Sequence, residues 1–347
     1  MAGPQVSNAV AQEALDAFTR RGSVRAAAAE LGVGRATLDM RLIRAKERGL
    51  KPSNAKPFEV EDLPDGEEDT SELIQRRIKA FKKRHAAKVA RKLIQVQIKI
   101  DGPIGIAHFG DPHVDDDGCD FGQLETDINI VNKTEGLFGA NVGDMQNNWI
   151  GRLSALYGQQ GTSERQAWAL TEWMVRAVDW LYLIGGNHDA WSGEGDPLKW
   201  ITANQTGVYE AWGVRLNLNF PNRKQVRVNA RHDFKGTSMW NPVHGPMKAV
   251  QAGWRDHILT CGHLHVSAIA GPLKDPASGL LSWAIRCGGY KIDDRFAVEM
   301  GLPDQNAFPT CVTIIDPRYA DDDPRLVTVI PSVEMGADFL KFLRRRK

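Results

Sequence analysis

No Cys-x-x-Cys pair, no long apolar run and no large excess of either charge occurs in this sequence. Its four cysteines, Cys119, Cys261, Cys287 and Cys311, are widely spaced along 347 residues. That spacing suggests neither a zinc knuckle nor a disulfide scaffold, and reduced, buried thiols are the simple expectation. No segment approaches the roughly 18 apolar residues that a membrane span needs. Residues 1–20 lack the apolar stretch of a secretory signal. These absences point away from membrane and secreted classes and towards a cytoplasmic protein with no membrane partner. No internal repeat or low-complexity tract stands out.

What is present is an ordinary globular composition, with 42% hydrophobic and 25% charged residues. The length fits two domains, or one large domain with appendages. The net charge is +1, but it is unevenly spread. Residues 71–94 carry nine Lys/Arg against one acid, residues 51–70 two against seven, and the chain ends in Arg344, Arg345, Arg346 and Lys347. Basic blocks favour polyanionic partners, and they serve equally well as solvated helix faces.

Residues 1–50 read as a small all-α module of three helices. Helical spacing predicts Asn8–Arg20, with Val10, Ala14, Leu15 and Phe18 on one face. Gly22 ends that helix and Ser23 can cap the next, which runs to Leu31. Gly32 and the Val33-Gly34 turn lead to a third helix, Arg35–Arg48, with Leu38, Leu42 and Ile43 facing inward. The arrangement resembles a helix-turn-helix, in which Arg35, Thr37, Arg41 and Arg44 would face DNA. The alternative is a three-helix module for self-association, giving a homo-oligomer. Residues 51–71 read as an acidic, proline-containing flexible linker, and 72–94 as a basic helix. That helix could bind nucleic acid backbone, or pack its apolar side (Leu73, Ile78, Phe81, Val89, Leu93) on the main domain, or do both. Residues 95–335 form that domain, and 336–347 a basic tail.

From residue 95 short apolar runs alternate with Gly- and Asp-rich loops, the pattern of a layered α/β domain. Five polar clusters each follow a predicted strand: Gly110-Asp111-Pro112-His113, Gly143-Asp144, Gly186-Asn187-His188-Asp189, Arg231-His232-Asp233 and Gly262-His263-Leu264-His265. Functional loops in open α/β sheets gather at strand ends, so the five could share one cleft. Carboxylate, imidazole and one amide oxygen suit borderline divalent ions such as manganese, iron or zinc. The absence of cysteine argues against a structural zinc site. Other histidines read blandly: His108 as a core residue, His257 as structural or exposed, His85 as solvated. The run Asp115–Asp117 reads as surface acid.

The ordered set resembles the calcineurin-like metallophosphoesterase superfamily over roughly 95–330. The resemblance implies an α/β fold, a layered β-sandwich flanked by helices. It also implies a hydrolase of phosphate esters that uses two divalent ions, with manganese expected and iron, zinc or magnesium as other options. Attack would come from a hydroxide shared by the ions. Carried over by position, Asp111, His113 and His265 would hold one ion, and Asn187, His263 and a lone histidine the other, with Asp144 bridging. His188 would act at the leaving oxygen. His232 is favoured as the lone histidine because it directly follows a strand; His244 competes for that role, or contacts substrate phosphate. Many family members carry an Asp or His three positions after the bridging Asp, where Asn147 stands here. Asp189 could compensate for it as a catalytic partner of His188.

The Gly-Asn-His-Asp form and the N-terminal helices lean towards the DNA-processing nucleases of the superfamily, hence a DNA phosphodiesterase. Such a combination also resembles bacteriophage-encoded proteins, which would work in the host cytoplasm. Two rival readings are a small-molecule or nucleotide phosphodiesterase or phosphatase whose N-terminal helices serve assembly, and a non-enzymatic DNA-binding regulator.

Overall fold

A computed structural model of the chain describes residues 6–53, 69–149, 154–190 and 197–346. Most of the expected linker (54–68) and Lys347 lie outside the described residues. The chain divides into two compact units, 1–76 and 77–347.

The first unit holds α1 (Asn8–Arg21), α2 (Val24–Glu30) and α3 (Arg35–Glu47). Ser7 and Ser23 cap α1 and α2 by accepting backbone N–H bonds from Val10 and Ala26. Gly22, at φ 67°, closes α1. The core is built of small side chains, Ala14, Ala17, Ala27 and Ala28, around Leu38. Ile43, expected inward, is exposed. The inward stripe of α3 runs Leu38, Leu42, Ala45, and Ile43 sits about 100° around the helix from Leu42. Arg35 and Arg44 are exposed, and Thr37 and Arg41 half-buried. Arg35 pairs with Asp39 at 3.9 Å and Arg44 with Glu47 at 2.6 Å.

The basic helix is α4 (Thr70–Ala90), four residues shorter at its end than expected because the chain enters β1 (Ile94–Gln97). None of its residues is buried, and Leu73, Ile78, Phe81 and Val89 are exposed rather than packed.

The second unit is an α/β sandwich of two mixed six-stranded sheets. One sheet contains β2 (Ile104–Phe109), β3 (Leu137–Asn141), β4 (Trp180–Gly185), β5 (Val208–Ala211), β11 (Thr310–Ile315) and β12 (Val327–Ile330). Its order is β12-β11-β2-β3-β4-β5, parallel from β2 to β5. The other contains β1, β6 (Gly213–Asn219), β7 (Gln225–Arg231), β8 (Ile258–Cys261), β9 (Ala268–Lys274) and β10 (Leu281–Arg286), in the order β1-β6-β7-β8-β10-β9. The strands β7, β8 and β10 are parallel neighbours. Alternation along the strands sends Ile104, Ile106, Tyr182 and Ile184 from one sheet against Leu216, Val228, Ile258 and Ile285 from the other.

The outer face of the first sheet carries α5 (Phe121–Lys133), α7 (Glu164–Ala177) and α12 (Val333–Arg345), packed on Ala107, Phe109, Val312 and Ile314. On the other sheet, α10 (His244–Gln251) covers Leu259 and Cys261. The short helices are α6 (Ser154–Tyr157), α8 (Asn187–Ala190), α9 (Pro197–Ile201) and α11 (Arg295–Glu299).

The expected basic tail from 336 is instead part of α12. Gly336, Ala337 and Leu340 are buried on the sheet, and Arg344 donates to the carbonyl of Pro103 at 2.8 Å and to Glu135 at 2.6 Å. The charges occupy the outer turn of an amphipathic helix whose inner stripe the terminal Arg run conceals. Leu340→Ala should therefore destabilise the second unit by about 2–5 kcal/mol, read from the midpoint of denaturant unfolding. A dispensable tail would show no change.

Candidate metal centre

Each of the five polar clusters begins within three residues of the C-terminal end of a strand: β2, β3 and β4 in one sheet, β7 and β8 in the other. Because β2, β3 and β4 are adjacent and parallel, and β7 and β8 likewise, their ends open on the same side of each sheet. The sandwich brings the two sets together.

Two ligand groups result. In one, the donor atoms of Asp111, His113 and His265 lie within 4.8 Å of one another; in the other, so do those of Asp144, His232 and His263. Nε2 of His113 faces Nε2 of His265 at 3.0 Å, and Nε2 of His232 faces Nδ1 of His263 at 3.0 Å. Bonds of about 2.0–2.2 Å to one ion set neighbouring donors at about 3 Å. The Asn187 Oδ1 is 2.7 Å from His232 Nε2 and so joins the second group. Asp144, a member of the second group, also meets the first through its backbone. Its Oδ2 is 3.2 Å from His232 Nε2, and its backbone carbonyl accepts the His113 N–H at 3.2 Å.

The chemistry of the donors fits a pair of divalent cations. Asp111 Oδ1 and His113 Nδ1 are buried without a hydrogen-bond partner, although buried polar atoms normally have one. Burial keeps His113, His263 and His265 neutral, His265 down to about 4, so their nitrogen lone pairs are free to ligate. Burial works against charge on His232, yet Asp144 and Asp111 raise it to about 10. Burial holds the Asp111 carboxyl well above the usual range. The floor of the site thus attracts positive charge, and protons and metal ions compete for the same atoms.

This arrangement is held under strain. His113, Asp144, His263 and His265 all have positive φ, 46°, 46°, 72° and 50°, and they are half of the eight described non-glycine residues that do. Each such residue costs on the order of 1–2 kcal/mol. Close approach adds a second constraint. A Cβ on Gly186 would press into Asp144, and one on Gly143, at φ +125°, into the His232 ring.

His188 sits beside this floor. Its Nδ1 pairs with the Asn147 carbonyl at 2.7 Å and its backbone N–H donates to Asp144 Oδ1 at 2.9 Å. That leaves Nε2 turned to the site, 3.8 Å from Asp144 Oδ2. The sequence-based role of Asp189 as partner of His188 is corrected. Its carboxylate is buried and accepts from Gly186 N at 2.8 Å and Met145 N at 3.1 Å, so it ties the second cluster to the third. The backbone of Asn147 orients His188, and its side chain donates to Asp116 at 2.7 Å.

Several residues escaped the sequence reading. Asp115 and Asp116, expected at the surface, are buried. Asp115 accepts from Asn147 N at 2.5 Å and Asn148 N at 3.1 Å. The buried Lys291 joins Asp116 (3.1 Å) to Asp294 (3.0 Å), and Asp294 Oδ2 lies 3.8 Å from His265 Nδ1. Lys291 therefore ties the support of His188 to that of His265. Arg286, fully buried, donates to the Gly262 carbonyl and, at 2.9 Å, to Asp233, bracing the loops of His263 and His232 together. Lys291 and Asp294 follow β10 through Gly288-Gly289, the same strand-end signature as the five clusters. His108 lies in the core between Tyr182 and Thr313, and His257 between Arg227 and Asp321.

A cavity of about 1040 Å³ opens over the centre, lined by His113, Asp144, Asn147, Asn187, His188, His263 and His265 among others. His244, proposed from sequence as a competing ligand or a phosphate contact, starts α10 and lies outside both the ligand groups and the cavity lining. At that point of the pattern it is His232, at the end of β7, that groups with Asp144 and His263.

No family model matches the chain, and no curated protein does. Among solved structures, the chain is similar to the calcineurin-like phosphoesterase YfkN from Bacillus subtilis, at 10% identity and a TM-score of 0.38. The match covers 71% of this chain and 97% of that one.

The packing at Gly186 generates a direct test. Gly186→Ala should weaken manganese binding by more than about 10–100-fold, the usual loss when the support of a ligand is removed. Gly158→Ala, where a Cβ would meet nothing within 4 Å, should bind as the wild type does. Equal metal affinity in the two variants, by calorimetry, would contradict the described approach of Gly186 to Asp144.

Proposed function

We propose that the chain is a two-metal-dependent phosphoesterase, and specifically a phosphodiesterase that hydrolyses DNA. The observation that carries the first part is the pairing of two His/carboxylate groups across Asp144, with His188 at their margin. Asp111, His113 and His265 would hold one ion, Asn187, His232 and His263 the other, and Asp144 would touch both. Manganese suits the mixed oxygen and nitrogen donors, and iron, zinc or magnesium are the alternatives. Such ions, when bound, supply an activated water and neutralise charge that builds on the phosphoryl oxygens.

The protein's own part is orientation and proton management. Strained backbone aims His113, Asp144, His263 and His265 inward. The Asn147 carbonyl favours the His188 tautomer that carries its proton on Nδ1. A protonated His188 would give the Nε2 proton to the departing oxygen. Asp144 lies 3.8 Å from that nitrogen, and the Asn147 carbonyl faces the other.

The DNA reading draws on the three-helix unit, with Arg35, Thr37, Arg41 and Arg44 on α3, and on the exposed, basic α4. Each offers cationic side chains for phosphate contacts. In this reading the protein works in the cytoplasm, or the host cytoplasm if phage-encoded. The same three helices could instead join two copies. Light scattering at several concentrations, with DNA binding measured at increasing salt, separates the two: a steep loss of affinity with salt supports DNA contact.

The central test is a manganese-supplemented panel of single- and double-stranded DNA, RNA, cyclic nucleotides, a chromogenic phosphodiester and a phosphomonoester. DNA and the chromogenic diester should be hydrolysed and the monoester spared. His188→Ala should lower kcat by about 10²–10⁴-fold with metal content unchanged. Loss of metal in that variant would make His188 a ligand, and hydrolysis of nothing in the panel would defeat the enzymatic reading.

A further inference from the structure

The cavity over the metal centre has a second wall that the ligand set does not account for. It is formed by the segment after β10, with α11, and by Leu264 from between His263 and His265. Leu264, Ile292, Val298 and Leu302 line it and are exposed, Val298 at 73% and Leu302 at 58%. An apolar surface of this kind, continuous with a polar floor, is the usual form of a small-molecule site. The cavity volume, about 1040 Å³, is just above the about 300–1,000 Å³ typical of such sites.

The charges on this wall are mostly negative. Asp293, Asp294 and Asp304 line it, and among the described residues the one Lys or Arg in the lining is Lys291. Lys291 is already neutralised twice, by Asp116 and Asp294. A phosphate held over His113, Asp144 and His263 would face cations on the floor. A second phosphate placed along the wall would face carboxylates within the roughly 10 Å over which charges act at ordinary salt. The floor draws one phosphodiester in, and the wall rejects a continuing polyanion while accepting an uncharged, flat group.

We infer that this wall seats a single uncharged organic group of the substrate, such as a nucleobase or an aryl ring, attached to the phosphodiester on the floor. The inference rests on the phosphoesterase reading and narrows its substrate. The enzyme would act at the end of a single strand, or on a small diester, and not at phosphates within a continuous polymer.

Inert probes test the wall apart from catalysis. Calorimetry on the manganese-loaded full chain compares phenylphosphonate with methylphosphonate, which share the anionic group and differ in the ring. Phenylphosphonate should bind about tenfold tighter, from apolar area covered by the wall. In Val298→Ser/Leu302→Ser that advantage should fall towards one, with methylphosphonate affinity and metal content unchanged. Hydrolysis supplies the second arm: a linear single strand should be degraded from an end, and circular single-stranded DNA, which has no end, should resist. Asp293→Asn/Asp304→Asn should relax that resistance. Equal affinity for the two phosphonates, or cleavage of circles as fast as linear strands, would overturn the inference while leaving the phosphoesterase reading in place. If neither phosphonate binds and no diester is cleaved by metal-loaded protein, that reading itself fails and the inference with it.

Discussion

Two carboxylates, Asp111 and Asp144, are buried among five imidazoles at the mouth of a β-sandwich, and the rest of the second unit is arranged around keeping them there. Buried carboxylates are costly unless matched by positive charge or hydrogen bonds. Asp144 receives a backbone N–H from His188, and Asp111 one from His263. His232 lies within 4 Å of both. That supply is incomplete for a dry site, since one Asp111 oxygen has no partner. A pair of divalent cations would complete it. The strained backbone at four ligands follows from the same demand, because strain persists where the surroundings over-determine a conformation.

The grouping of these side chains was legible because they are carried by short polar clusters at strand ends, where neither propensity nor periodicity must be resolved. The strands that lead into the five clusters, β2, β3, β4, β7 and β8, were legible because each is a short apolar run ending in a polar loop. Others were concealed for physical reasons. The edge strand β9 contains Gly271 and Pro272, which weaken a strand reading. The other edge strand of its partner sheet, β5, is short and partly exposed. In β6 the apolar Val214, Leu216 and Leu218 alternate with Arg215, Asn217 and Asn219, a half-buried pattern that composition alone masks. The final Arg run hid the apolar stripe of α12 in the same way.

The supporting residues were harder to see than the ligands, and the reason is distance along the chain. Asp116 and Lys291 meet only because β2 and β10 end near one another, through the Asp111–Gly289 bridge. Asp189 is next in sequence to His188 but faces away, since its carboxylate serves two backbone amides. Neighbouring position suggested a catalytic pair; the short helix α8 separates the two directions. The wall beyond Lys291 has the same origin as these supports, being the continuation of the loop that braces Asp111. In the proposed reading, metal support and substrate selection would be parts of one segment.

The most direct measurement is anomalous diffraction from crystals of the full chain grown with manganese. Two peaks should appear, one among Asp111, His113 and His265 and the other among Asn187, His232 and His263, about 3.5–4 Å apart on either side of Asp144. No peak at these side chains under saturating manganese, or a single ion that leaves either group without metal, would contradict the account.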